Sequence, residues 1–183
     1  VSVDHMPAEM LTPDRLARDA ALLRDSVREA GALALSLFRT ELKNWTKGAS
    51  SPVSEADIRV NDLLERRLRS ATPEYGWLSE ERVDDDARLA KQLVWIVDPI
   101  DGTRGYLAGR EDWCVSVALV EDASPLLAAV FVPASDEFFF AMRGQGATLN
   151  DVTVDAASGA ELDFSRVAGP KPRRRVKRPK SSA

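Results

Sequence analysis

Behind the triplet Thr12-Pro13-Asp14, apolar residues recur at Leu16, Leu23, Val27, Ala30, Ala34 and Leu37. Spacings of three, four and seven mark one face of an α-helix. A capping hydroxyl followed by proline marks its start, so a long amphipathic helix is predicted over about 13–40. The stretch ELKNWTKGASSP breaks the period with Gly48, two serines and Pro52 and reads as a mobile loop or hairpin. Ser54-Glu55-Ala56-Asp57 then matches a capping box, and Val60, Leu64 and Leu68 carry the stripe of a second helix over about 55–70.

After Pro73 the texture changes to strands. Tyr75-Gly76-Trp77-Leu78 is a short aromatic run ending in Ser79-Glu80-Glu81, and Asp84 to Asp86 mark an acidic loop. Leu93-Val94-Trp95-Ile96-Val97 is short, β-branched and continuously apolar, which predicts a strand covered on both faces and stopping at Asp98. Runs at 113–120, 126–132 and 137–142, separated by EDASP and PASD, predict an antiparallel meander. Gly144-Gln145-Gly146 turns the chain again, and Arg166 to Gly169 can begin a further strand.

Composition narrows the class. With 183 residues, 44% hydrophobic and 30% charged, the chain is globular, and fibrous, fully disordered and membrane classes are excluded. Its formal charge of -4 is unevenly spread: residues 171–183 hold seven basic groups and no acid, leaving 18 basic and 29 acidic groups in an acidic body. No aromatic residue interleaves with the basic tail to stack on bases, so nucleic acid is not an expected partner. The single cysteine, Cys114, lies in the apolar run WCVSVALV and reads as a buried structural thiol in a reducing compartment, with the lone His5 a poor catalytic partner. The N-terminal VSVDHMPAEM lacks the basic and apolar regions of a signal peptide, and no run approaches the ~20 apolar residues of a membrane span, so a cytoplasmic location and no membrane partner are expected.

Candidate chemistry centres on Trp95-Ile96-Val97-Asp98-Pro99-Ile100-Asp101-Gly102-Thr103. Two carboxylates at the end of a buried strand can hold a hard cation through oxygen, and the Gly102 and Thr103 amides can face a phosphate if a helical turn starts there. A solvated acidic turn is the competing reading. Glu80-Glu81 closes another short strand. If that strand lies beside the one ending at Asp98, three carboxylates aim at one point, an arrangement that repels itself unless a cation is present. Asp57 also serves as the capping-box acid, and Lys47 reads equally as an ordinary loop lysine.

The strings SPVSEAD (51–57), WLSEE (77–81), WIVDPIDGT (95–103) and FVPASDEFFFAMRGQGATLN (131–150) resemble the inositol monophosphatase superfamily of Mg²⁺-dependent, lithium-sensitive phosphatases. Ser79 in place of the more usual glycine, together with Pro133-Ala134-Ser135-Asp136-Glu137, is most similar to the CysQ-type 3'(2'),5'-bisphosphate nucleotidases. The resemblance implies an α/β fold, the layered α/β/α/β sandwich of sugar phosphatases, with only its N-terminal part present. It implies that Glu80, Asp98 and the Ile100 carbonyl hold a first Mg²⁺, and that Asp98 and Asp101 hold a second. Thr103 and Glu80 then orient and help deprotonate the attacking water, with Asp57 behind the hydroxyl. Gly102 and Thr103 hold the phosphate, and Lys47 lies on a mobile loop that recruits a further cation. The substrate expected is a small phosphate monoester, 3'-phosphoadenosine 5'-phosphate first and inositol 1-phosphate as the alternative. Homodimers are common in the family.

Family members are usually longer, and the Trp-Asp-x-x-Ala motif of their second half is absent after Asp101. The expectation is therefore a metal-binding α/β portion over residues 1–169 and a basic, disordered tail over 170–183. A truncated or frame-disrupted member, an inactive remnant included, is the reading of the point where the pattern gives way to RRRVKRPKSSA.

Overall fold

The structure, a computed structural model, describes residues 12–47 and 51–156. Helix α1 (Pro13–Leu37) and helix α2 (Glu55–Ala71) flank a two-stranded antiparallel hairpin, β1 (Asn44–Lys47) and β2 (Ser51–Ser54). A seven-stranded sheet follows in the order β3-β4-β5-β6-β7-β8-β9, made of Gly76–Ser79, Leu93–Asp101, Cys114–Glu121, Ser124–Val132, Glu137–Met142, Gly146–Leu149 and Val152–Val154. Among the described residues only β3 and β4 pair in parallel; every other pair is antiparallel. The last two strands and the short 3₁₀ turn at Asp86–Ala90 were not foreseen, and the strand expected at 166–169 lies outside the described residues.

Helix α1 starts where the sequence predicts. The Thr12 hydroxyl accepts the Arg15 N–H at 3.2 Å and Pro13 occupies the first turn. It ends at Leu37, short of residue 40, because Phe38 turns into extended backbone and packs against Tyr106 and Trp113 at ring separations of 5.3 and 5.4 Å. Tertiary contact with the sheet overrides the helical pattern here. Within the ELKNWTKGASSP stretch the described residues 44–47 pair with 51–54 as the arms of a hairpin, and α2 begins on its predicted capping box.

Both helices lie on one face of the sheet. Leu23, Val27, Leu64 and Leu68 are fully buried against Trp95, Val115 and Leu119, each at 0% exposure, and close a single core. Helix α1 approaches β6 so closely that Gly31 leaves no room for a methyl group: a Cβ there would lie 2.2 Å from the Phe131 ring. Trp95 completes its hydrogen bonding by donating its indole N–H to Thr72 at 2.9 Å.

The opposite face is open, which corrects the expectation for 93–97. On β4 Leu93, Trp95 and Val97 are buried while Ile96 is 39% exposed, the alternation of a strand covered on one side among the described residues. The strand also runs past Asp98 to Asp101.

Candidate active site

The acids come together because two parallel strands end together. Ser79 pairs with Val97, and the ladder runs one step further with the Glu80 N–H donating to the Val97 carbonyl at 3.1 Å. Glu80 and Asp98 are therefore neighbours across the strand ends, on the open face. The sequence raised this adjacency as a condition, and the register meets it.

A bulge then brings in the second aspartate. Asp98 faces Ser116 and Asp101 faces Cys114, so three residues of β4 span two of β5. In a regular strand positions 98 and 101 would point to opposite faces; the extra residue restores both carboxylates to one face. Pro99 fits the bulge because it has no N–H to contribute to a ladder. Gly102 follows with φ +90°, where a Cβ would come 2.8 Å from the Asp112 carbonyl, so glycine is required for the turn into α3 (Thr103–Leu107). The helical turn conditionally expected at Thr103 is present.

Asp57 joins the loop to α2. It is 1% exposed, and one carboxylate oxygen accepts the Ser54 N–H at 2.8 Å and the Ser54 hydroxyl at 2.5 Å. The other accepts the Thr103 hydroxyl at 3.1 Å, which also lies 3.0 Å from the Ile100 carbonyl. The capping contact with Ser54 and the contact with the Thr103 hydroxyl are thus made by one side chain with two oxygens. Burial pushes the Asp57 carboxyl above its ordinary range, and the hydrogen bonds from Ser54 and Thr103 act against that rise.

Lys47 reaches the same end of the sheet from the hairpin. Its ammonium donates to the Glu80 backbone carbonyl and lies 3.8 Å from the Glu81 carboxylate, whose side chain is only 6% exposed. Burial, together with the charges of Asp57 and Glu80, raises the Glu81 carboxyl, while Lys47 opposes the rise.

Electrostatics single out Asp98, whose carboxyl is pushed up to about 7 by burial first, then by the charges of Glu80 and Asp101. The adjacent Glu80 carboxyl adds to this rise through its side-chain contact as well as through its charge. The donors are all oxygen: three carboxylates and the Ile100 carbonyl, the set a hard cation prefers. Among the described residues no three of them are already closed to metal-ligand geometry, so the single convergence point expected from the sequence is not preformed. Mutual repulsion accounts for this, since like charges at one point separate or take up a proton unless a cation lies between them.

Cys114 also departs from its reading as a core thiol. It is half-buried on the open face with Sγ 3.8 Å from an Asp101 oxygen, and burial with the charges of Asp101 and Asp98 raises the thiol to about 12, which keeps it protonated and a weak nucleophile.

Sequence reasoning assigned no role to Asn61. It is fully buried, sits one helical turn after Asp57, and accepts the Ser79 hydroxyl at 2.6 Å. The signal was present in the i, i+4 spacing of Asp57 and Asn61, which puts two polar residues on the face of α2 that packs on the sheet.

Among the described residues no helix is long and apolar enough to cross a membrane. The model of the inositol monophosphatase family matches residues 16–182, running past the point at Pro172 where sequence reading ended the resemblance. An inositol-1-monophosphatase of Rhizobium meliloti is 41% identical over 137 residues, covering 72% of this chain and 51% of that protein. A histidinol-phosphatase of Chlorobaculum parvum is 33% identical over 150 residues, covering 81% and 57%. Among solved structures, the extragenic suppressor protein suhB of Bartonella henselae superposes with a TM-score of 0.73 at 28% identity, over 78% of this chain and 55% of that one. The chain spans about half the length of the curated relatives it matches. With a family model over most of its length and the same fold in solved relatives, the chain belongs to the inositol monophosphatase family.

Proposed function

We propose that this chain carries the metal-binding half of a phosphate monoesterase that uses Mg²⁺ and attacks phosphorus with water. The observation that carries the reading is the co-terminal pair β3 and β4, which sets Glu80 beside Asp98 while the bulge turns Asp101 to the same face. Glu80, Asp98, Asp101 and the Ile100 carbonyl would hold two or more Mg²⁺ ions, and lithium is expected to compete. When bound, such ions neutralise the phosphate and lower the pKa of the attacking water.

The protein's own groups then have distinct tasks. Both neighbours of the Thr103 hydroxyl, the Asp57 carboxylate at 3.1 Å and the Ile100 carbonyl at 3.0 Å, only accept, so its one proton is committed to that pair and its lone pairs are left to receive a hydrogen bond from water. Ser54 fixes Asp57 from behind. Glu80 shares the task of orienting the water and taking its proton. The Gly102 and Thr103 amides precede the first intrahelical bond of α3, from the Gly105 N–H to the Gly102 carbonyl at 2.7 Å, and would receive phosphate oxygens. Lys47 places a positive charge at the edge of this acidic group, where an anionic substrate enters.

For the substrate we infer 3'-phosphoadenosine 5'-phosphate, on Ser79 and the Pro-Ala-Ser-Asp-Glu segment. Inositol 1-phosphate is an equal second reading, since relatives covering most of this chain are inositol-1-monophosphatases. Phosphate release from these two compounds and from histidinol phosphate, with Mg²⁺, with a chelator and with LiCl, tests the proposal. Mg²⁺-dependent, lithium-blocked release supports it and ranks the substrates. No release from any of them at high protein concentration rejects activity for this chain and leaves the remnant reading.

A further inference from the structure

Ser79 closes β3 immediately before the two glutamates, and its side chain makes contacts that a glycine there could not make. Its hydroxyl donates to Asn61 Oδ1 at 2.6 Å and accepts the Glu81 backbone N–H at 3.2 Å. Ser79 is 5% exposed and Asn61 is fully buried. A hydroxyl has one proton, so with that proton committed to Asn61 the oxygen can only accept from Glu81. The direction of both bonds is fixed.

Asn61 is costly to keep. Its Nδ2 is a fully buried donor without a partner among the described residues, and an apolar pair at 61 and 79 would pack without that loss. Its position accounts for its presence. Asp57 grips the loop of Thr103 and Ile100, and Asn61, one turn further along α2, grips the turn of Glu80 and Glu81. One rigid helix thereby holds both acid-bearing turns in fixed relation.

We propose that Asn61 and Ser79 form a positioning relay that fixes the Glu80–Glu81 turn, and through it the direction in which Glu80 presents its carboxylate to a cation shared with Asp98. The cation in this statement rests on the hydrolase reading above; the relay itself rests on the hydrogen bonds. Asn61 and Ser79 touch neither substrate nor metal and act through Glu80.

The test uses the full chain with Ser79→Ala, Asn61→Ala, the double variant and Ser79→Thr, each checked for folding by circular dichroism. Hydrogen exchange at the Glu81 amide reads the relay without any cation, and tryptophan-sensitised Tb³⁺ luminescence, competed by Mg²⁺, reads cation affinity. Ser79→Ala is expected to speed Glu81 exchange and to weaken Tb³⁺ binding by about tenfold, the usual loss when a partner of a ligand is removed. Ser79→Thr, which keeps the hydroxyl, restores both. The double variant falls no further than the weaker single variant, because the two side chains act as one unit. Unchanged Glu81 exchange in Ser79→Ala, or losses that multiply in the double variant, overturn the relay. If the unsubstituted protein binds neither Tb³⁺ nor Mg²⁺, the cation reading fails by itself, and amide exchange alone decides the relay.

Discussion

Replacing Asp98 by asparagine should make the cation-free protein more stable at pH 8, although it removes a residue from the centre of the site. The Asp98 carboxyl is raised to about 7 by burial, Glu80 and Asp101. A raised carboxyl contributes stability in full below its unfolded value, near 4, and loses that contribution as pH climbs to about 7. Above that pH the folded state must hold the charge that its surroundings resist. The rise of roughly three pH units corresponds to an upper bound of about 4 kcal/mol at 1.36 kcal/mol each. Asp98 is partly reached by solvent, which screens its neighbours, so about 1–2 kcal/mol is the expected effect. For a chain of this size that is a rise in Tm of about 2–8 °C.

The assay is thermal unfolding of the native protein and Asp98→Asn between pH 5 and 8.5, with chelator and again with Mg²⁺. With chelator the gap between the two curves should be smallest at pH 5 and widen as pH rises, the variant above. Asp57 and Glu81, also raised by burial, add a decline of stability with rising pH that both proteins share. Added Mg²⁺ should reverse the order at pH 8, since a ligand that binds only the folded state stabilises it in proportion to its occupancy. An Asp98→Asn protein less stable than the native one at pH 8 in chelator would refute the electrostatic account, because it would mean that the carboxylate is already satisfied without a cation.

Three further outcomes follow from the packing. Gly31→Ala should lower Tm, since the added methyl meets the Phe131 ring at 2.2 Å and overpacking costs about 1–3 kcal/mol, outweighing a helix-propensity gain of at most about 1 kcal/mol; an unchanged or higher Tm would show that the α1–β6 contact is loose. Thr72→Val leaves the buried Trp95 indole N–H without an acceptor and should cost about 1–3 kcal/mol in urea unfolding, with an unshifted midpoint counting against it. Tyr75→Phe removes the hydroxyl that donates to Asp19 at 2.6 Å and accepts from Arg15 at 2.9 Å, leaving an acid that is 4% exposed short of a donor. A loss of about 1–3 kcal/mol by chemical denaturation is expected, and equality with the native protein would place that network outside the stabilising core.

What the sequence carried and what it withheld differ for physical reasons. Local signals held: Thr12 and Pro13 start α1, the Ser54–Asp57 box starts α2, and the EDASP and PASD turns punctuate the meander. These depend on residues within a few positions of one another. The end of α1 was misplaced because Phe38 leaves the helix for two aromatic rings far along the chain. The two faces of β4 were misjudged because a continuous apolar run has no alternation to report which side the helices take, and only the register with β5 shows Ile96 opposite Ala118 on the open face. Asn61 was missed because its partner, Ser79, lies on another element.

The D-P-I-D-G-T string owes its meaning to what surrounds it. On a regular strand its two aspartates would face opposite sides and could not share a ligand. The bulge at Pro99 corrects their parity, Gly102 at φ +90° turns the chain so that Thr103 meets Asp57, and the parallel neighbour β3 delivers Glu80 alongside. Each of these conditions is set by a residue whose side chain neither ligates nor reacts: proline by its missing N–H, glycine by its missing Cβ, and Val97 by accepting the Glu80 amide through its backbone. A solvated acidic turn needs none of them. Their joint presence, together with carboxyls driven above their ordinary range by one another and by burial, is what supports the cation reading proposed above over a polar loop of the same composition.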